Sequence, residues 1–301
     1  MDDSLVEKVA FANLPTNRCA ISGDATVNPA VMHRDLSDWW PPSLLDMRDE
    51  RLVNLLVVER SMRDRYYAKL RNMGVVLSYS GGLDSTTVLH WCLKLFGDIR
   101  CLIFDYGQRH SVEVDNATAY VESLKKENLP ISYKVVDMKP INDLAVSSLT
   151  RKECDVPRNR GISEMSSGIP NTFVPGRNVY FLTALAQEAY ATGNRHIAIG
   201  VNILDYSGYP DCRPEFLDHM RNALRIGVFD GLDIGIHAPL MYLDKKSIIR
   251  LGLYLGVKYG YTHSCYNGVR GGCGECDSCQ LRRAAFRELG VRDPAVEMWQ
   301  G

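Results

Sequence analysis

Several absences narrow the reading of this sequence. No apolar run is long enough to span a bilayer, so no membrane association is expected. The start, "MDDSLVEK", is acidic and lacks a basic region followed by an apolar stretch, so no signal peptide is read and the cytoplasm is the expected location. Neither charge sign is in excess. Thirty-five Lys and Arg face 36 Asp and Glu, a net charge of -1, so no bulk basic field marks a nucleic-acid footprint and no direct nucleic-acid contact is expected. The P-loop pattern GxxxxGK(S/T) and the dinucleotide pattern GxGxxG are both missing, which excludes those two phosphate-binding types. There is no internal repeat and no low-complexity segment. The nine cysteines are odd in number and unevenly spread, which argues against a secreted disulfide framework.

What is present suits a soluble globular chain: 301 residues, 46% hydrophobic and 24% charged. Residues 1–73 look like a separate extension. Pro15, Pro29, Pro41 and Pro42 punctuate its first part, which is expected to be irregular. A helix is predicted from about Leu44 to Arg71, opened by Ser43 and Asp46 at capping-box spacing, with an apolar stripe through Leu52, Leu55, Leu56, Met62, Tyr66 and Leu70. From residue 74 short apolar runs at 75–79, 101–106, 132–137 and 196–201 alternate with helical patterns near 84–96, 110–127 and 177–192. That alternation predicts an α/β fold, a parallel sheet with helices on both faces. Its ligand is expected beyond the carboxyl ends of the strands. The core is expected over 74–258 and a cysteine-bearing segment over 259–301, while the polar stretch 138–176 reads as a lid or as disorder.

The richest of those strand ends is "GVVLSYSGGLDSTTVLH", residues 74 to 90. A glycine pair after a buried strand lets backbone amides approach an anion closely, and the following helix start adds the positive end of its dipole. Ser80, Ser85, Thr86 and Thr87 add hydroxyls, so the loop is expected to hold phosphate. A plain glycine turn with capping hydroxyls is the simplest alternative. A nucleophile elbow with His263 as partner is another, but an elbow has no use for Asp84-Ser85-Thr86-Thr87.

"SGGLDST" resembles the pyrophosphate loop of the N-type ATP pyrophosphatases, in which ATP is cut between the α- and β-phosphates. The resemblance implies that Ser80, Gly81, Gly82, Leu83, Asp84, Ser85 and Thr86 bind ATP, with Asp84 helping to orient Mg2+. Further motifs in order, "DYGQRH" (105–110), "AVSSLT" (145–150), "GIPNTFVPGRN" (168–178), "DYSGYPDCRPEF" (205–216), "PLMYLDK" (239–245) and "CYNG…GCGECDSCQLR" (265–282), resemble the QueC, or 7-cyano-7-deazaguanine synthase, family. Such an enzyme adenylates 7-carboxy-7-deazaguanine, captures the acyl-adenylate with ammonia, and dehydrates the amide to a nitrile with a second ATP.

On this resemblance Arg109, Arg177 and Lys245 join Asp84 as catalytic candidates. Both arginines read as permanent cations beyond strand ends, able to offset charge on the α-phosphate or the substrate carboxylate. Surface salt bridges are the plain alternative, and Lys245 reads equally as a solvated helix-start lysine. Substrate-binding candidates are Tyr106, Gln108, His110, Phe173, Pro175, Gly176, Asn178, Asp205, Gly208, Tyr209 and Asp211. Tyr106, Tyr206 or Phe173 offers a ring to stack on, although core packing is the commoner fate of an aromatic. His110 reads as a general base or as structural, and Cys212 as a small buried hydrophobe more than as a nucleophile.

Cys265, Cys273, Cys276 and Cys279 crowd into fifteen residues at x7, x2 and x2 spacings. Four thiolates in one glycine-rich loop suit tetrahedral Zn2+ with no open position, hence a structural site. An iron-sulfur cluster and a zinc ribbon for nucleic acid are the alternatives.

Residues 1–73 depart from the family, whose members begin only a few residues before the pyrophosphate loop. Two readings follow: an appendage supporting a homodimer, or a platform for a protein acceptor. The latter occurs in QueC-like enzymes of antiphage operons, which join the deazaguanine acyl group to a partner's terminal amine. A catalytically inactive nucleotide-binding subunit is the third reading.

Overall fold

The computed structural model describes residues 69–300, except 109–110, 141–146, 152, 166–167 and 205–207. The helix predicted over 44–71 therefore lies outside the described residues, apart from Lys69, Leu70 and Arg71 at its end, of which the first two are helical. Leu70 is buried in the core, and Arg71 to Met73 turn directly into the first strand.

Five strands form one parallel sheet in the order β3-β2-β1-β4-β5: β1 Gly74–Ser78, β2 Asp98–Asp105, β3 Ile131–Asp137, β4 His196–Ala198 and β5 Gly235–His237. The main helices are α1 Leu83–Leu95, α2 Ser111–Lys126, α4 Arg177–Ala191, α5 Pro214–Gly227, α6 Lys245–Tyr254 and α7 Asp277–Glu288. Short α3, Ile162–Met165, precedes α4, and α8, Pro294–Gln300, ends the chain.

The two-residue period of β1 explains the layering. Val75, Leu77 and Tyr79 enter a core shared with α1, α2, α6 and α7. Val76 enters the other core, with Leu182 and Leu185 of α4 and Leu217 and Leu224 of α5. A strand buried on both faces carries consecutive apolar residues, here Val75, Val76 and Leu77 ahead of half-buried Ser78. Among the described residues no helix is long and apolar enough to cross a membrane.

Local signals set the helix starts. Pro214 opens α5, where a missing amide hydrogen costs nothing. Asp244 caps α6 by accepting from the Ser247 amide at 2.7 Å. Strand β4 ends at Ala198, short of the run to 201, and beyond it Gly200 passes so close to α1 that an added Cβ would sit 3.2 Å from the Ser85 nitrogen.

The stretch 138–176, expected to be a lid or disordered, is partly clasped to the cysteine segment. Asn159 N donates to Glu275 O at 2.8 Å, Arg160 pairs with Asp277, and Val156 packs on the cysteines. Upstream, Ser148 N donates to Asn171 O at 2.9 Å, joining two of the sequence motifs.

At the start of β4 and the end of β5, His196 Nδ1 and His237 Nε2 lie 3.0 Å apart beside Phe96. Burial lowers His237 from 6.5 to about 3 and His196 from 6.5 to about 4. Both rings therefore stay neutral when folded and take up protons on unfolding. Their contribution is intact above pH 6.5 and is lost as pH falls toward 4. In that window each added proton costs on the order of 1 kcal/mol of stability per pH unit. Urea unfolding at pH 7, 6 and 5 should show this loss, and His237→Gln should flatten it. A slope untouched by the substitution would contradict the assignment.

Candidate functional site

The sheet order reverses between β1 and β4. Chain segments leave β1 toward one face and reach β4 from the other, which opens a crevice beyond their carboxyl ends. A cavity of about 280 Å³ lies there. One side is the loop after β1. Gly81 adopts φ 75°, and an added Cβ would meet Ala117 of α2 at 3.0 to 3.1 Å, so glycine is required by both conformation and space. The Gly81 carbonyl accepts from His263 N at 3.0 Å. Hydroxyls wire the loop internally: Ser80 Oγ lies 3.0 Å from Ser85 Oγ and accepts from Gly82 N at 3.3 Å. The head of α1 lines the crevice through Leu83, Asp84 and Ser85, and a helix start is a suitable anion cradle.

Two helix starts converge beside this loop. Lys245 Nζ, at the head of α6, donates to both oxygens of Asp84 on α1 at 2.8 Å. The pair is mostly screened from water, with side-chain exposures of 14% and 27%.

The other side of the cavity is lined by rings. The Arg177 guanidinium sits 6.0 Å from the ring centres of Tyr106 and Phe181 and 5.8 Å from that of Tyr209. Its Nε is buried without a hydrogen-bond partner among the described residues. Half-buried Glu113 lines the same cavity, and desolvation pushes its carboxyl up to about 8 against the pull of Arg177. Behind them, Asn178 Nδ2 donates to the Asp211 carbonyl at 3.0 Å, and Tyr209 OH donates to Thr172 Oγ1 at 2.7 Å.

Of the residues expected from the sequence, Ser80, Gly82, Leu83, Asp84, Ser85, Tyr106, Gln108, Arg177, Asn178, Tyr209 and Lys245 line this one cavity. Arg109, His110 and Asp205 lie outside the described residues, as does Tyr206. Several others sit elsewhere for identifiable reasons. Gly81, Pro175, Gly176 and Gly208 shape turns rather than line the cavity, and Asp211 stands behind it. Thr86 is fully buried and donates to Gly82 O at 2.7 Å, the back-bond of a helical threonine. Phe173 packs on Tyr209 at 5.6 Å. Gln108 braces its own loop, accepting from Tyr106 N at 2.9 Å and donating to Phe104 O at 3.2 Å.

Two of the plain alternatives meet a different geometry. Arg177 opens α4 among aromatic rings instead of forming a surface salt bridge, and Lys245 holds a carboxylate instead of facing solvent. Burial, with Asp211 next, raises the Cys212 thiol to about 12, which does not suit a nucleophile.

Sequence reasoning missed Glu113, Phe181, Gly200, Asn202, Ser264 and Tyr266, all of which line the cavity. The strand-end rule applied to 199–202 points to Gly200 and Asn202. Glu113 and Phe181 face inward from helices and carry no such signal.

The four cysteines of the C-terminal segment bring their sulfurs within 4.8 Å of one another. A tetrahedral ion at 2.3 Å from each sulfur requires separations of about 3.8 Å, so the donor set fits a metal. Hydrogen bonds from Cys276 and Cys279 lower the Cys265 thiol, and the same contacts raise the thiols of Cys276 and Cys279. Amides add support: Cys276 N and Glu275 N donate to Cys273 Sγ at 3.3 and 3.4 Å. One metal ion per chain is expected on elemental analysis. Cys276→Ser should release it and lower the melting temperature by on the order of 5 °C. Full stability without metal would contradict the site.

The model of the family described as queuosine biosynthesis protein QueC matches residues 74–290. The 7-cyano-7-deazaguanine synthase of Solidesulfovibrio magneticus is 46% identical over 226 residues, covering 73% of this chain and 93% of its own length. That of Thermoplasma acidophilum is 44% identical over 226 residues, covering 74% and 91%. Among solved structures, an NH3-dependent NAD synthetase from Campylobacter jejuni superimposes with TM-score 0.37 at 18% identity, covering 67% of this chain and 73% of its own. The family match begins at the first residue of β1 and runs past the end of α7, so the chain belongs to the QueC family.

Proposed function

We propose that this chain is an ATP-dependent ligase that activates the carboxylate of 7-carboxy-7-deazaguanine and converts it to the nitrile 7-cyano-7-deazaguanine. One observation carries the reading: a single cavity joins the serine- and glycine-built anion cradle to a ring-lined recess holding a cation. The first half suits a pyrophosphate and the second a flat heteroaromatic acid. Relatives bearing the name 7-cyano-7-deazaguanine synthase support the choice of acid.

In this reading a carboxylate oxygen attacks the α-phosphorus of ATP, the bond to the β-phosphate oxygen breaks, and pyrophosphate leaves. Ser80, Gly82 and the opening amides of α1 bind the leaving group. Lys245 and Arg177 offset the negative charge of phosphate and carboxylate, and Asp84 is the group suited to Mg2+. Ammonia then adds to the acyl carbon, AMP departs with the original carboxylate oxygen, and a proton is lost to give the amide. A second adenylation, on the amide oxygen, removes that oxygen with AMP and leaves the nitrile after loss of two protons. The four cysteines are assigned to structural Zn2+, since four sulfur donors leave no open position for chemistry.

A second reading changes only the nucleophile. Seventy-three residues precede the family match, a length the small-molecule reaction does not require. They favour a protein amine as an alternative acceptor, the chemistry of antiphage relatives. Because Leu70 belongs to the core, a truncation that tests this reading should keep residues from about Lys69 onward.

With ATP, 7-carboxy-7-deazaguanine and ammonium, AMP, pyrophosphate and the nitrile are expected. Ser80→Ala should lower kcat/KM by about two decades, roughly 3 kcal/mol of transition-state stabilisation. Formation of ADP and phosphate instead would overturn the proposal. Amide-linked label on a supplied protein, with no nitrile, would transfer it to the second reading.

A further inference from the structure

Arg282 stands one turn after Cys279 on α7 and is buried. Its Nε and Nη2 donate to the two oxygens of Asp293 at 2.6 and 2.8 Å. The remaining donors all reach one segment. Nη1 donates to Thr262 Oγ1 at 2.8 Å and to Ser264 Oγ at 3.2 Å, and Nη2 donates to Tyr259 O at 3.1 Å. A planar fork with five donors can hold Asp293 and that segment together, which a lysine cannot.

The same segment touches the anion cradle from its other side. His263 N donates to Gly81 O at 3.0 Å, and the Tyr259 hydroxyl lies 2.8 Å from Thr87 Oγ1 on α1. Its far end runs straight into Cys265, the first sulfur of the metal site. The chain from Tyr259 to Cys265 is thus fixed by the metal site at one end, by Arg282 along its length, and by the cradle on its opposite edge.

We infer that Arg282 is a positioning residue that transmits the hold of the cysteine site to the phosphate cradle, so that metal occupancy and pyrophosphate binding are coupled. The inference rests on the proposed role of that cradle. The physical route is the Gly81–Gly82 peptide. Gly81 is in the left-handed region, where glycine has wide freedom, and its carbonyl is held by His263. Slackening the segment frees that peptide to rotate, which breaks the Gly82 N bond to Ser80 Oγ and shifts the serine hydroxyl and the head of α1 that the cradle is built from. Coupling of this kind is reciprocal: metal strengthens pyrophosphate binding by the factor with which pyrophosphate strengthens metal binding.

The test titrates inorganic pyrophosphate into the metal-loaded full chain by calorimetry. Arg282→Lys, and the milder Thr262→Val, should bind about ten-fold more weakly at unchanged metal content, with KM for ATP rising more than kcat falls. In the unaltered protein, saturating pyrophosphate should slow metal loss to a chelator by a similar factor. Because Arg282 also borders the cavity, Thr262→Val is the deciding variant: wild-type affinity in it, or chelation indifferent to pyrophosphate, overturns the inference while leaving the cradle intact. No pyrophosphate binding by the unaltered protein overturns the cradle and the inference with it.

Discussion

The Gly81 carbonyl, gripped by the His263 amide at 3.0 Å, is the contact on which the site depends. It joins the end of β1 to a segment more than 180 residues away and fixes the orientation of a glycine in the left-handed region. Ala117 of α2 presses on that glycine from another side. Three separate parts of the chain therefore set one peptide plane, whose amide, Gly82 N, donates to Ser80 Oγ just ahead of α1. Preorganisation of this kind is effective because donors already in place do not reorganise when charge develops.

The two halves of the cavity differ in how they handle charge. At the cradle the charges are paired: Lys245 and Asp84 hold each other at the meeting of two helix starts. At the recess Arg177 is surrounded by the rings of Tyr106, Phe181 and Tyr209, with one buried nitrogen unsatisfied among the described residues. A cation held by rings in this way keeps its attraction for an incoming anion, since Arg177 forms no salt bridge among the described residues. Glu113 and Asp211 are the nearby acids, and burial raises both carboxyls toward the neutral form that leaves the Arg177 charge available.

Much of this was legible in the sequence because the physics was local. Val75, Val76 and Leu77 are consecutive apolar residues because both faces of β1 are covered, and the loop that follows carries its glycines where the backbone must turn sharply. The four-sulfur cluster was legible from spacing alone, since short loops leave cysteines few other arrangements. What was not legible depends on distant contacts. Strand β5 is three residues long and bears no periodic pattern. Gly200 reads as part of a strand until Ser85 is found against it. Thr86 reads as a phosphate donor until its hydroxyl is seen turned back on Gly82. Arg282 reads as one more charge on a polar helix until Asp293, Thr262 and Tyr259 are brought around it.

The central claim is that a substrate carboxylate oxygen attacks the α-phosphorus of ATP in this cavity. It is tested most directly by following that oxygen. With 7-carboxy-7-deazaguanine labelled with oxygen-18 in its carboxylate, the account predicts AMP carrying the label and pyrophosphate carrying none. Unlabelled AMP, or label in an ATP-derived product other than AMP, would contradict it.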